Sequence, residues 1–159
     1  MGRTLLALVI VCLATAAGRT PARAEDATAG DLVISGAWAR PSLGHAQNGS
    51  AYLTVQNRGS SNDRLVAVRS AAARKIEIHS HTMEGHTARM RPVQAIDIPA
   101  GATVKLDPNG FHIMFLSLKS SLQEGNHVPL VLVFEKAGTV VVDVEVKSNK
   151  DAPAPSQQQ

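Results

Sequence analysis

Turn-forming residues interrupt this chain so often that no helix of useful length fits between them. Gly, Pro and Asn crowd residues 41–49, a polar turn covers 57–63, and further turns fall at 99–101, 107–110, 123–126 and 137–138. The strongest is Asp107-Pro108-Asn109-Gly110, where Pro presets an early turn position and Asn-Gly accepts positive φ. Between the turns lie short alternating or β-branched runs at 31–40, 50–56, 64–69, 75–79, 103–106, 111–118, 129–135 and 139–146. Residues 89–93 and 95–98 are also β-like, with Pro92 marking a bend or a sheet edge. Residues 71–74 hold at most one helical turn, and residues 25–30 read as a mobile lead-in. Short strands spaced in this way predict an all-β Greek-key β-sandwich with minimal helix.

The first residues read differently. A basic start, an apolar run at 5–17 (LLALVIVCLATAA) and small residues at Ala22 and Ala24 predict a signal peptide over 1–24, cleaved before Glu25. The run is shorter than the ~18–20 apolar residues of a spanning helix, and no later segment is longer, so the mature chain is expected to lack a membrane span. The organisation that follows is a cleaved leader, a domain over 25–147 and a disordered, Pro- and Gln-containing tail over 148–159, in a periplasmic protein.

Removal of the leader changes which functions remain open. The 159 residues fall to 135, enough for one domain with a core. Three arginines (Arg3, Arg19, Arg23) and no acids leave with it, so 16 Lys+Arg become 13 against 13 Asp+Glu. A neutral chain without a Lys/Arg cluster is not built to bind nucleic acid. The only cysteine, Cys12, lies inside the apolar run and not at its end, which argues against lipoprotein cleavage there. The mature chain then has no thiol, hence no disulfide, no thiolate nucleophile and no cysteine ligand for a blue-copper site. A histidine brace would need His where Glu25 stands, and no elbow serine or paired acid set marks a hydrolase. The chain is expected not to be an enzyme.

The chemistry concentrates between residues 75 and 118, which hold four of six histidines (His79, His81, His86, His112) and three of four methionines (Met83, Met90, Met114). In 75–79 the alternation puts Ile76 and Ile78 on one face and Lys75, Glu77 and His79 on the other. His112 and Met114 flank Ile113 and share a strand face. Ten residues separate His79 from Met90, and twenty-one separate Met90 from His112. Residues 80–88, polar and containing Gly85, read as a hairpin connection. Two hairpins can bring His79, Met90, His112 and Met114 to one edge. Two neutral imidazoles and two thioethers make a soft, low-charge site suited to Cu(I) over Zn(II) or Cu(II). Any one of these residues alone reads as core or surface; the joint pattern does not. Met83 reads as a loop residue, His81 and His86 as equally balanced between capture and surface roles, and His45 and His127 as surface residues.

This arrangement, with HTMEGHTARMRPV, IPAGATVKL, PNGFHIMFLSLK and VPLVLVFEKAG around it, resembles the PCuAC family of periplasmic copper(I) chaperones over nearly the whole mature chain. The resemblance implies a cupredoxin-like fold and a Cu(I) site of His79, Met90, His112 and Met114. It also implies delivery of copper to cytochrome c oxidase assembly, towards the binuclear centre of subunit II, directly or through Sco-type proteins. Some family members carry methionine directly after the first histidine, where Ser80 stands here. Others carry a His/Met-rich tail, absent from residues 151–159. Two other readings use the same residues: copper storage or resistance, and a metal-free β-sandwich that binds other proteins.

Overall fold

The computed structural model describes residues 26–148, except 43, 45–46 and 85–86. The expected leader, the tail beyond Ser148, His45 and His86 lie outside the described residues. Eleven strands and no helix are found among those described: β1 (Ala27–Ala29), β2 (Leu32–Ala39), β3 (Asn48–Asn57), β4 (Asp63–Arg69), β5 (Ala73–Glu84), β6 (Thr87–Val93), β7 (Ile96–Ile98), β8 (Thr103–Leu106), β9 (Phe111–Leu118), β10 (His127–Phe134) and β11 (Gly138–Val146). They form one hydrogen-bonded path, β6-β5-β9-β8-β3-β2-β11-β10-β4-β7, with β1 beside β2 and β9 also pairing β3. Most pairs are antiparallel; β11 with β2 and β8 with β9 are parallel. The path curls over a single core as a cupredoxin-like β-sandwich with barrel-like closure, the all-β class read from the sequence.

The core follows from the alternation of small and β-branched residues. In β10 the residues Val128, Leu130, Leu132 and Phe134 turn inward, and in β11 Val142, Val144 and Val146 do the same. Ile113 and Phe115 of β9 are fully buried, Ile78 of β5 is buried, and Ile76 packs against them. Burying one such side chain contributes about 1.5–3 kcal/mol, so the inward set holds the sheet closed without disulfides.

Three details depart from the sequence reading. Residues 80–88 are mostly strand: β5 runs on to Glu84 and β6 begins at Thr87, paired from Ile78↔Val93 out to Glu84↔Thr87. This ribbon is polar on its outer reach, so hydrophobic alternation could not reveal it; backbone pairing alone extends it. Residues 73–74 belong to β5, leaving only a turn at 71–72. Ala27–Ala29, expected as a mobile lead-in, pairs with β2 from Ala27↔Ile34 to Ala29↔Leu32.

Candidate metal centre

Strand register decides which side chains meet. His79 of β5 stands opposite His112 of β9, and Glu77 stands opposite Met114. His81 stands opposite Met90 of β6, and Ser50 of β3 opposite Met114. Opposed residues share a sheet face, as do residues two apart on one strand. Glu77, His79, His81, Met90, His112 and Met114 therefore occupy one face, the outer one, because Ile78, Ile113 and Phe115 between them enter the core.

That outer face is partly roofed. A cleft of about 320 Å³ is lined by His81, Met90, His112 and Met114, with Tyr52 and Arg40 in its wall. Trp38 stacks on Tyr52 with ring centroids 4.6 Å apart, and the Tyr52 hydroxyl lies 2.8 Å from Ser50 Oγ. The Arg40 guanidinium sits 5.9 Å from the centre of the Tyr52 ring. No carboxylate among the described residues lines the cleft, and nowhere among them do three His, Cys, Asp or Glu side chains gather as a metal site. A cation held here must draw on thioether sulfur, and a guanidinium in the wall favours the lower-charged ion.

Each expected imidazole has one nitrogen engaged and one bare. His112 is 4% exposed, and its Nδ1 lies 3.2 Å from the Gly110 carbonyl. A carbonyl only accepts, so Nδ1 carries the hydrogen and Nε2 keeps a free lone pair. Burial pulls the His112 imidazole below the usual histidine range; the Gly110 bond opposes this, and neighbouring His79 and His81 add to it. His112 is therefore neutral at physiological pH, as a ligand must be. His79 places Nε2 2.8 Å from Glu77 Oε2, which assigns the hydrogen to Nε2. Its Nδ1 is buried without a partner among the described residues. An unpaired buried polar atom costs about 1–3 kcal/mol, and a ligand to a soft cation removes that penalty. Glu77 is held below the usual carboxylate range, first by the His79 hydrogen bond and then by Lys75. A carboxylate that orients a histidine through its far nitrogen is the common outer partner of metal-bound imidazole.

The four residues singled out in the sequence are thus separated into two positions. Met90, His112 and Met114 face the cleft. His79 stands to one side, its ring 5.7 Å from that of His112 and edge-on to it. His81 takes the cleft position instead, a residue that the loop reading of 80–88 left undecided; its place two residues beyond His79 on one strand was the available signal. Met90 is 60% exposed at the mouth, and Met83 is 64% exposed further along the ribbon. His127, the first residue of β10, is exposed and pairs with Asp143 at 2.7 Å, away from the cleft.

A helix-free sandwich carrying imidazole and thioether donors on the outer face of β5, β6 and β9 defines a class of soft-metal binding domains. The family described as "Putative lipoprotein LpqE-like" matches residues 32–146, and the chain belongs to it. "Putative lipoprotein Lxx21020" of Leifsonia xyli subsp. xyli is 31% identical over 147 residues, covering 91% of this chain and 87% of that one. Among solved structures, the copper-bound PCuAC domain from PmoF2 superposes with a TM-score of 0.69 at 27% identity, covering 78% of this chain and 98% of that domain. Apo-DR1885 from Deinococcus radiodurans gives 0.60 at 26% identity, covering 96% and 100%. Its Cu(I) form gives 0.59 at 29% identity over 80% and 83%. The resemblance to PCuAC domains drawn from short motifs holds across the fold.

Proposed function

We propose that this chain is an exported Cu(I) chaperone whose cargo is bound by His79, Met90, His112 and Met114. The observation that carries the reading is the pair of opposed imidazoles, each with one nitrogen engaged and one without a partner among the described residues, beside two thioethers and no carboxylate in the cleft. The copper-bound PmoF2 domain and Cu(I)-DR1885 support it by likeness of fold. Thioethers need no deprotonation and resist the oxidation to disulfide that endangers thiolate ligands outside the cytosol. Ligands of this strength also release copper to a thiolate-rich acceptor, as a carrier must. We place the chain in the periplasm, delivered by the signal peptide over 1–24; kinship with a lipoprotein family fits export. The acceptor proposed is the binuclear copper centre of cytochrome c oxidase subunit II, reached directly or through Sco-type proteins.

Titration of the protein with Cu(I) under reducing conditions tests the first half. One equivalent bound, with sulfur and nitrogen in its X-ray absorption spectrum, is expected; no stoichiometric binding sinks the reading. A deletion strain tests delivery. Loss of oxidase activity, restored by added copper, is expected, whereas intact oxidase with copper sensitivity would turn the assignment to storage.

A further inference from the structure

The turn at residues 107–110 holds two imidazoles, of which the four-residue site uses one. The Gly110 carbonyl accepts from His112 Nδ1 at 3.2 Å and also from the backbone N–H of His81 at 2.9 Å. The neighbouring Pro108 carbonyl accepts from His81 Nδ1 at 3.2 Å. His81 is therefore fixed at backbone and ring by the turn that fixes His112, and its hydrogen is assigned to Nδ1, leaving Nε2 bare. The His81 ring also lines the cleft, where His79 does not, and the exposed Met90 is its direct cross-strand partner.

We propose that His81 is a fifth copper ligand, a mouth donor that with Met90 and Met114 receives Cu(I) and passes it to His79 and His112 beneath. The proposal rests on the Cu(I) reading above and deepens it. His79 and His81 are two residues apart on one strand, about 6.6 Å, so the transfer is a short displacement across shared sulfur ligands. The step is ligand exchange: the His79 Nδ1 lone pair bonds Cu(I) as His81 Nε2 leaves, and release reverses it. Each ring binds through one nitrogen and keeps its hydrogen on the nitrogen held by Glu77 or Pro108, so neither a proton nor an electron moves in the exchange. Exposure follows the same order, from Met90 at 60% through half-buried His81 to His112 at 4%.

The test separates equilibrium from rate. Cu(I) transfer from the loaded protein to bicinchoninate is followed by stopped flow, with affinity taken from competition at equilibrium. His81→Gln should slow transfer at least about tenfold while changing affinity by less than about threefold, on the scale of ligand-sphere substitutions. His79→Gln should still bind one Cu(I) through His81, with affinity about tenfold weaker, and the double variant should lose stoichiometric binding. His81→Met, which returns a soft donor to the mouth, should recover most of the rate, as a purely structural role would not. If His81→Gln transfers copper at the unsubstituted rate, the mouth ligand is refuted while the Cu(I) site stands. If the unsubstituted protein binds no Cu(I), both readings fall together.

Discussion

At the β4–β7 end of the strand path Asp63 is buried with its polar atoms engaged, as is Asn57, the last residue of β3, which reaches across to β7. Asp63 Oδ1 accepts from the Arg64 and Lys136 backbone at 2.7 and 3.0 Å, and Oδ2 accepts from Ala137 at 2.9 Å. Asn57 donates to the Ser61 and Ile98 carbonyls at 2.8 and 3.1 Å and accepts from Gly59 at 2.9 Å. At the β5–β6 end His112 is buried and His79 half-buried; each keeps one nitrogen without a partner among the described residues, and that of His79, Nδ1, is itself buried. Burial at the first end is saturated because its purpose is to join turns to the sheet. In the Cu(I) reading proposed above, burial at the second is left open for an atom outside the chain to complete. Unsatisfied lone pairs, more than burial or histidine content, mark the functional end.

The comparison is broken most directly at the thioethers. Met90→Ala with Met114→Ala removes both sulfur ligands and leaves imidazole donors alone, without the soft thioethers that favour Cu(I) over a competing chelator. Affinity should fall by more than about 100-fold, since outer-sphere changes alone cost 10–100-fold. Met90 is largely exposed and Met114 half-buried, so the fold should survive with its melting temperature nearly unchanged. Competition titration and thermal unfolding on one preparation check both halves. Unchanged affinity would make the open nitrogens incidental.

Asp63→Asn attacks the saturated end. The amide turns an NH₂ towards at least one backbone N–H, leaving it unpaired at a cost of about 2 kcal/mol, or roughly 8 °C in Tm for a domain of this size. The pH dependence has a definite sign. Burial pushes the Asp63 carboxyl up, but the N–H groups of Lys136, Arg64 and Ala137 and the Lys136 charge outweigh it, so its pKa lies below the usual value. The stability this contributes is complete above the unfolded-state value of about 3.9 and is lost as pH falls through the lower folded value. Melting curves taken from about pH 5 downward should show that loss in the unsubstituted protein and much less of it in Asp63→Asn. Copper affinity at neutral pH should not change. A copper defect in Asp63→Asn would mean that the two ends are coupled.

The sequence exposes these two ends unequally. The alternation at Ile76 and Ile78 and the spacing around Ile113 are local facts, and they put His79 opposite the inward face of β5 and His112 with Met114 on the face opposite Ile113. The Asp107–Gly110 turn was also legible, but the two rings held by its carbonyls were not, because that depends on the register of β5 against β9. Residues 80–88 read as a hairpin connection because they are mostly polar and contain Gly85, and this hides the opposition of His81 and Met90. Asp63 was read as the end of a polar turn. Its partners, Lys136 and Ala137, lie more than seventy residues away and are brought there by β4 pairing with β10. Periodicity reports a face; it does not report what the fold brings against that face.

The finest contrast between the ends rests on Glu77. If the bare nitrogen of His79 is prepared for copper, the carboxylate on its other nitrogen does the preparing; if not, Glu77 is only an exposed ion pair with Lys75. Glu77→Leu removes the acceptor and lets the ring exchange tautomers or turn Nε2 elsewhere. Glu77→Gln keeps an oxygen able to accept from Nε2–H. Long-range ¹H–¹⁵N spectra of the metal-free protein read the tautomer without copper: Nε2–H in the unsubstituted and Gln forms, mixed in Leu. Cu(I) affinity should follow, about tenfold weaker for Leu and within about threefold for Gln. Surface ion pairs contribute about 0–1 kcal/mol, so stability should scarcely move in either variant. A tautomer unchanged in Glu77→Leu would reduce the pairing to that surface role, and the open nitrogen of His79 would then need another cause.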